Sequence, residues 1–367
     1  MNKVLIEQER LARKDGNIPS LKSIFIEMLK ECSNDKEIIS LIKVLSVRRG
    51  QSSEAIRWLV NEVYDQKKDS KEFVKLLLNE VVEGKIYLER ERVKFSLDLM
   101  NRSASCEEAL GIILDVPIET FTLVDDSTII KYQLDQFRLC IENRDWVKAS
   151  IVMKRIRQRY FEENNAPEER LNFYKYKIQL LLGQSKFEEA SQAYLDINKL
   201  YENTEYSILA SFYGIIGYSY DKKLLEICHN DKNNDENMRL ILDKFLNNLL
   251  ITKEIIEDIR NVVKMFIDLD QYIDYVHEAI NNHNYMIIEK YYSTINLSTF
   301  TNLMDCKEED LIKKISNMVN NKRSYCKINQ RERLVVFDNK KLEVGVDELM
   351  DNLIKVDHLI HKETFNK

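Results

Sequence analysis

The chain has very few residues that break helices. It contains 8 glycines and 3 prolines among 367 residues, whereas these two types make up about 12% of an average protein. The glycines never stand at the spacing of a phosphate-binding loop, which excludes the common glycine-rich nucleotide sites. So few breakers predict long helices joined by short turns.

Long apolar runs and paired cysteines are also missing. No run approaches the ~18 residues of a membrane-spanning helix, and the opening MNKVLIEQERLARK is too charged for a secretory signal. Six cysteines without a C-x-x-C pair favour reduced thiols and a reducing compartment. The net charge of −6 gives no attraction to a polyanion. With 44% apolar and 32% charged residues, the composition is typical of a soluble protein of two or three domains, or of an extended helical array.

Candidate catalytic and metal sites are scarce. No H-E-x-x-H zinc motif occurs, and no cysteine has a local histidine that could activate it. His358 and His361 stand one helical turn apart, where a solvated pair is favoured over a metal site. We therefore expect a protein that is not an enzyme, with no catalytic residue, no cofactor and no metal.

A repeat of about 40 residues is present before residue 200. Two segments align at an offset of 41 residues: Leu139–Ser150 and Leu180–Ser191. Trp146 aligns with Phe187, and Ala149 aligns with Ala190. A large ring that fills a groove and a small alanine that lets helices approach are what a helical hairpin needs. The period is typical of helical-hairpin solenoids, although chance similarity between amphipathic helices is an alternative.

A fainter third copy lies upstream. EEALGIILDV (Glu107–Val116) matches EEASQAYLDI (Glu188–Ile197) at an offset of 81, which is close to two repeats. Stacked hairpins of this kind present long edges rather than a pocket. We therefore predict an all-α fold, in which a helical-hairpin repeat solenoid is followed by a small winged-helix module and a C-terminal bundle helix.

The winged-helix prediction rests on the segment from Lys290 to Phe337, where the pattern changes from helix to strand. Its order is helix, helix, strand, wing and strand. Ser298 is the predicted N-cap of the first helix, and Asp305 or Cys306 is expected to open the second. Asn320 and Asn321 are expected to end that helix in a left-handed residue. The predicted buried stripe of the second helix is Leu311, Ile312, Ile315, Met318 and Val319.

Two strands flank the predicted wing. SYCKI (residues 324–328) alternates as a strand, LVVF (residues 334–337) is its apolar partner, and NQRER (residues 329–333) is the wing between them. We predict protein contacts on these strands and on a heptad-spaced tail helix. The predicted interaction residues are Tyr325, Ile328, Leu334, Val336, Phe337, Val346, Leu349, Leu353, Val356 and Ile360.

Charge argues against nucleic-acid binding by the second helix. Three lysines are balanced by three acids, and the acids Glu308, Glu309 and Asp310 fill the first turn, which would approach DNA. Arg331 and Arg333 lie in the wing, where we favour exposure to solvent over contact with phosphate. The basic run KRIRQRY (Lys154–Tyr160) is expected to spread round a helix as a solvated face, with an ion-pairing partner surface as the alternative.

The segment from Lys290 to Phe337 resembles the winged helix of the PCI-domain family, which occurs in the proteasome lid, the COP9 signalosome and the core of initiation factor 3. The signs are KYY, LMD, SNMVNNKRSYCKI and LVVF. Five upstream motifs stand in the order found in the proteasome-lid branch: LSVRRGQ (Leu45–Gln51), EGKIYLERER (Glu83–Arg92), QFRLC (Gln136–Cys140), YFEEN (Tyr160–Asn164) and IQL (Ile178–Leu180).

This resemblance implies a non-catalytic scaffold of the proteasome lid in ubiquitin-dependent degradation, present in cytoplasm and nucleus as part of a hetero-oligomer. Its implied partners are other lid PCI subunits, the deubiquitinase module, the ATPase base and the core particle, with no nucleic acid and no membrane. A signalosome-type subunit (the subunit-four paralogue) is the nearest alternative. A winged-helix nucleic-acid binder is the alternative from another class.

The chain departs from the family at the wing, where Asn329 and Arg333 replace an aspartate and a glycine. Loss of the glycine removes easy access to positive φ and predicts a different wing turn. Residues 1–36 match none of the motifs. The predicted organisation is a repeat arm (1–228), a loop (229–237), the helical part of the PCI domain (238–292), the winged helix (293–341) and the bundle helix (342–367).

Overall fold

In a computed structural model, residues 3–217 and 222–337 are described, together with Met350. Contacts divide the chain into two units, residues 1–186 and 187–367. The first unit contains eleven α-helices within its described residues: α1 Lys3–Lys14, α2 Ile18–Lys30, α3 Asp35–Val47, α4 Ser53–Lys67, α5 Lys71–Leu77, α6 Glu89–Asn101, α7 Cys106–Leu114, α8 Asp126–Glu142, α9 Trp146–Arg155, α10 Arg159–Glu163 and α11 Pro167–Gly183.

The second unit contains helices and a small sheet. Its elements over the described residues are α12 Phe187–Tyr201, α13 Thr204–Ile216, α14 Lys223–His229, α15 Glu236–Leu246, α16 Ile255–Val263, α17 Ile273–Tyr291, β1 Thr294–Asn296, α18 Leu297–Met304, α19 Glu308–Asn320, β2 Cys326–Asn329 and β3 Leu334–Phe337. The predicted fold class, helical hairpins with a small winged-helix module, is confirmed. The bundle helix predicted at 342–367 lies outside the described residues apart from Met350, and the predicted domain boundaries stay predictions.

Short polar side chains begin many helices of the first unit. The residue before the helix accepts a hydrogen bond from the backbone N–H three positions on, which satisfies a donor that the helix cannot pair. Six caps have this geometry: Asn17, Ser52, Ser70, Ser105, Asp125 and Asp145. With so few glycines and prolines, these caps set where one helix begins after another ends.

The turns of the two aligned hairpins have the same geometry. Arg144 and Ser185, 41 residues apart, have φ of 55° and 57°. After each one, a backbone N–H reaches back five residues into the helix, from Asp145 to Cys140 O at 2.9 Å and from Lys186 to Leu181 O, also at 2.9 Å. Two copies of one left-handed helix end confirm the repeat.

The aromatic and alanine positions of the repeat also recur. Trp146 and Phe187 are the first residues of α9 and α12, and Cys106 opens α7 at the corresponding place. The three alanines three residues further on, Ala109, Ala149 and Ala190, are all buried. The faint third copy therefore lies in register, with cysteine in place of the large ring.

Both residues lie against a glycine at the end of a later helix: Trp146 against Gly183 of α11, and Phe187 against Gly217 after α13. A Cβ atom on Gly183 would lie 2.6 Å from the Trp146 ring, and one on Gly217 would lie 2.9 Å from the backbone carbonyl carbon of Phe187. Real Cβ atoms do not approach so closely, so both positions require glycine. Although glycine is rare in this chain, two of its eight glycines stand where one hairpin meets the next helix.

The LSVRRGQ motif holds the N-terminal helix. Glu9 of α1 is fully buried, and its carboxylate accepts hydrogen bonds from Arg13 Nε at 3.1 Å, from Gln51 Nε2 at 3.1 Å and from Arg48. A buried carboxylate is tolerated only when it is paired and hydrogen-bonded. Residues 1–36, which matched no motif, thus supply the acid that the motif surrounds.

The EGKIYLERER motif connects α6 to the segment that leads into α8. The buried Glu89 accepts hydrogen bonds from the backbone N–H groups of Thr122 and Leu123, both at 2.8 Å. Arg90 Nε donates to the carbonyl of Leu123 at 2.7 Å. Glu89 and Arg90 therefore hold the segment that contains Thr122 and Leu123 against α6.

The same motif also connects α6 to α4 and to the end of α7. Glu91 Oε1 accepts from Asn61 Nδ2 of α4 at 3.2 Å and lies 3.5 Å from Arg57 Nε. Arg92 donates to the carbonyl of Asp115, beyond α7, at 3.3 Å. Four consecutive charged residues thus fix α6 to neighbours on both sides, so the motif is a structural brace.

The prediction that the basic run Lys154–Tyr160 spreads round one helix is wrong. α9 ends at Arg155, the buried Ile156 starts a turn, and α10 begins at Arg159. Ile156 has extended backbone angles and a buried side chain, so packing of this residue ends the helix inside the run.

The winged helix has one more strand than the predicted order. β1 pairs antiparallel with β3, and β3 pairs antiparallel with β2, so the sheet order is β1-β3-β2. The apolar strand LVVF is the central strand. A strand of three residues with a single buried side chain, Ile295, has too short a pattern to be separated from the end of α17 by periodicity.

Several predicted helix ends are wrong. Asn296, not Ser298, stands at the cap of α18, because β1 runs directly into the helix and the Leu297 N–H donates to Arg333 O at 2.9 Å. Asp305 does not open the next helix but ends α18 in the left-handed region with φ of 48°. At the end of α19 the left-handed residue is Lys322, with φ of 55°, and not Asn320 or Asn321.

The buried stripe of α19 is narrower than predicted. Leu311, Ile315 and Met318 are buried, Ile312 is half-buried, and Val319 is 37% exposed. The predicted strand from residue 324 begins at Cys326, because Ser324 is turned inward before it. At the wing, Arg333 adopts a positive φ of 54° where the family has glycine, so the left-handed conformation occurs there without glycine. The predicted difference in the wing turn stays a prediction.

Replacing Glu9 by alanine should lower the free energy of unfolding of the first unit by about 2–3 kcal/mol, because Arg13 and Arg48 lose their shared buried carboxylate. Both tryptophans, Trp58 and Trp146, lie in this unit, so urea unfolding followed by their fluorescence isolates it.

The matched control is Glu7→Ala, on the same helix. Its carboxylate is 59% exposed and pairs with Arg10 at 3.5 Å, so a change within about 0.5 kcal/mol is expected. Equal effects of the two substitutions would contradict the role assigned to Glu9.

Gly183→Ala should destabilise the first unit by about 1–3 kcal/mol, because the new methyl group would overlap the Trp146 ring. In a Trp146→Ala background the same glycine substitution should cost little, since the ring is gone. The two single variants and the double variant form a cycle whose coupling urea unfolding measures, with circular dichroism as the signal.

Gly111→Ala is the control for that cycle. Gly111 lies inside α7, and a Cβ there would meet nothing within 4 Å. Alanine should be neutral or stabilise by about 0.5–1 kcal/mol. Additive effects at 146 and 183 would refute the packing contact.

Candidate interaction surface on the winged helix

The central position of β3 decides which residues can face a partner. Along β3, Val336 lies between Thr294 of β1 and Lys327 of β2, and all three side chains are exposed. Val335 and Phe337 point the other way and are buried. The sheet therefore has one face in the core and one exposed row, Thr294–Val336–Lys327, called here the sheet-face row.

The predicted interaction residues on the strands separate into three kinds. Val336 is 38% exposed and lies on the sheet-face row. Tyr325, Ile328 and Leu334 are half-buried. Phe337 is buried, with its ring 6.2 Å from that of Tyr285 and 6.0 Å from that of Phe300. The other five lie outside the described residues: Val346, Leu349, Leu353, Val356 and Ile360.

A polar network that sequence reasoning missed holds the sheet to α17. The hydroxyl of the buried Tyr285 lies 2.9 Å from Ser324 Oγ and 3.4 Å from Cys326 Sγ, and Ser324 Oγ donates to Glu289 Oε1 at 3.1 Å. Burial raises the pKa of Tyr285 well above its ordinary value, so the hydroxyl stays protonated. In the sequence, this network was indicated by Tyr285, a tyrosine on the apolar face of α17.

The helix that would enter DNA in a winged-helix reader is unsuited to that role. Its first turn is acidic, and Arg333 of the wing pairs with Glu308 of that turn. Burial lowers the pKa of Lys314, whose half-buried ammonium is poorly placed to meet phosphate. Arg333 thus links the wing to the helix, whereas a DNA reader would use such a cation to contact the phosphate backbone.

The described residues hold no group of three or more His, Cys, Asp or Glu side chains placed to bind a metal ion. Burial raises the pKa of Cys140 and of Cys228 to about 11, which keeps both thiols protonated and unreactive. Over the same residues, no helix has the length and apolar character needed to cross a membrane.

An open groove of about 820 Å³ lies between α15 and α16. Its exposed apolar residues are Leu240, Met265 and Phe266, and its charged pair, Lys244 and Asp258, is closed by a 2.9 Å contact. The other carboxylate of the groove, Asp235, accepts the Asn237 N–H at 3.0 Å, so the groove offers mainly apolar surface.

His283 lies buried beneath the loop between α15 and α16. Its Nε2 is 3.0 Å from the carbonyl of Leu249, and its ring meets Phe245 edge-on at 5.5 Å. Burial lowers the pKa of His283, so the ring is neutral in the folded chain at pH 7. Its role is structural, since it satisfies a carbonyl in that loop.

A helical-hairpin region joined to a winged helix with a central apolar strand defines a class of scaffold, the PCI-domain proteins. The PCI domain matches residues 234–339, and the family described as "PSMD12/CSN4, N-terminal" matches residues 3–205. The chain belongs to this PSMD12/CSN4 family.

Curated relatives are similar along almost the whole chain. The chain is 23% identical to the 26S proteasome regulatory subunit RPN5 of Saccharomyces cerevisiae, over 98% of this chain and 89% of the relative. It is 24% identical to the 26S proteasome non-ATPase regulatory subunit 12 of Dictyostelium discoideum, over 98% and 88%. It is 25% identical to that subunit's homolog B of Arabidopsis thaliana, over 98% and 95%.

Stability should fall on mild acidification because of His283. The unfolded chain takes up a proton near pH 6.5, whereas the folded chain resists protonation of this buried ring. The unfolded state therefore binds more protons below pH 6.5, and the free energy of unfolding decreases as pH falls from 7.5 to 5.5. His283→Gln keeps a donor for Leu249 O and should reduce this decrease, as measured by chemical unfolding at each pH.

His277→Gln, on the same helix, is the matched control for loss of a histidine outside the buried site. If His283→Gln and the unmodified chain lose the same stability over this range, His283 is not the source.

Proposed function

We propose that the chain is a non-catalytic scaffold subunit of the lid of the 26S proteasome regulatory particle. The observation that carries this proposal is similarity over 98% of the chain to three regulatory subunits of the 26S proteasome, together with a PCI domain. These relatives have proteasome names, so the signalosome alternative is not favoured. The acidic first turn of α19 disfavours the nucleic-acid alternative.

The winged helix is the proposed docking module for neighbouring PCI subunits. β1 and β2 are the outer strands of the sheet, and an outer strand can extend a neighbour's sheet through its backbone groups. Beside them, the sheet-face row places the aliphatic Val336 in solvent. The proposed assembly therefore uses backbone pairing at an edge and apolar contact on the adjoining face.

The helical hairpins are proposed to position partner proteins and not to carry out catalysis. Braces such as Glu89 and Glu91 give the hairpins a rigid form that can hold a partner at a distance. The proposed partners are the deubiquitinase module, the ATPase base and the core particle, in cytoplasm and nucleus. The heptad-spaced tail from Val346 to Ile360 is proposed to join a bundle with helices of neighbouring subunits.

Val336→Asp should preserve the fold and impair assembly. The new carboxylate would replace an exposed side chain and would face Lys327 across the strands, whereas a partner would have to bury it. We expect incorporation into lids at least about tenfold below the unmodified chain, since removing a charged group from water costs more than the 1.4 kcal/mol that tenfold requires. Quantitative mass spectrometry of lids purified from cells that express both chains measures it.

Val319→Asp is a matched control, because Val319 has the same side chain and is 37% exposed on α19. It should assemble normally. Phe337→Asp should instead unfold the winged helix, since its ring lies in the core. Normal assembly of Val336→Asp would exclude the sheet-face row as a docking surface.

A further inference from the structure

The outer face of α9 exposes two aliphatic side chains. Val147 is 73% exposed and Ile151 is 48% exposed, and a spacing of four residues places them one turn apart on one face. The opposite face is buried through Ala149 and Val152. α9 therefore packs inward normally and still presents an apolar strip to solvent.

The same segment is strongly basic although the chain is acidic overall. Residues 144–159 contain six cations and one acid, in a chain of net charge −6. Three of the cations have carboxylate partners: Lys148 with Asp145, Arg155 with Glu119, and Arg157 with Asp126. Arg144, Lys154 and Arg159 have no carboxylate within ion-pairing distance in the part of the chain that the structure describes.

These features form one surface. Val147, Ile151 and Lys154 follow at steps of four and three, so they lie along one face of α9, and Arg144 stands just before the helix. All four are exposed. Adjacent exposed aliphatic side chains that are rimmed by cations have the character of a protein-interaction site.

We infer that this face of α9 is a docking surface for an acidic amphipathic segment of a partner protein. Aliphatic side chains of that segment would cover Val147 and Ile151, and its carboxylates would pair with Arg144 and Lys154. Charge complementarity selects an acidic partner. A nucleic acid would use the cations but leave the aliphatic pair in water. The inference goes beyond the scaffold function and does not involve the winged helix.

A designed peptide can test the surface on the full-length chain. The probe is a fluorescent helical peptide of about five turns with leucines along one face and glutamates beside them. Its binding is followed by anisotropy. We expect Val147→Ser with Ile151→Ser, and separately Arg144→Glu with Lys154→Glu, each to weaken binding at least about tenfold. Added salt should weaken binding to the unmodified chain.

Controls separate this surface from general stickiness. Val44→Ser with Val47→Ser changes two exposed aliphatic residues on α3 of the same unit and should leave binding unchanged. Peptides with serine for leucine, or lysine for glutamate, should bind at least about tenfold more weakly. Unchanged melting by circular dichroism shows that each variant is folded.

Three results would overturn the inference. The first is that the Val147/Ile151 variant binds the acidic peptide as tightly as the unmodified chain does. The second is that the lysine peptide binds as tightly as the glutamate peptide, and the third is that duplex DNA binds more tightly than the acidic peptide.

A second experiment uses the assembled complex. A photo-crosslinking amino acid at position 147 should label a segment of a partner protein that has an excess of acidic residues. Labelling of a neutral or basic segment, or none, would contradict it.

Discussion

The close approach of one helix to the end of the next is the constraint on which the hairpins depend. At Gly183 and at Gly217 there is no room for a Cβ atom, because the first residue of an earlier helix, Trp146 or Phe187, lies against the backbone there. The ring then fills the space between helices, and the alanine three residues on lets them approach. A chain with so few glycines places two of them at these contacts, which keeps its helices long elsewhere.

Buried charge supplies the second constraint, and it acts between elements distant in sequence. Glu9 is surrounded by groups from the end of α3 and from its own helix, while Glu89 and Glu91 connect α6 to segments about thirty residues away on either side. Such pairs add little net stability, because desolvation offsets attraction. Their value is in geometry: each carboxylate accepts only when its donors stand in one arrangement, which sets how successive hairpins stack.

Local pattern was enough to predict the helical fold class, the repeat and the two longer strands, because each depends on periodicity or on turn residues within a short window. Where the structure differs, a distant partner decides. Ser298 lost the cap of α18 because Arg333, 35 residues further on, supplies the carbonyl that receives the Leu297 N–H. β1 was missed because three residues carry almost no pattern, and only the pairing with β3 makes them a strand. Glu9 was invisible as a site because nothing near it in sequence marks a buried acid.

The sequence predicted the strand that contributes to the candidate surface, but not which of its side chains face solvent. LVVF was correctly placed as a strand, yet pairing on both sides makes it central, and this divides its residues between the core and the exposed row. An apolar strand of four residues cannot reveal that division, since Val335 and Val336 are the same residue type. Only the register, with Val336 between Thr294 and Lys327, places Val335 in the core and Val336 on the exposed row. A shift of one residue along the strand would exchange the two.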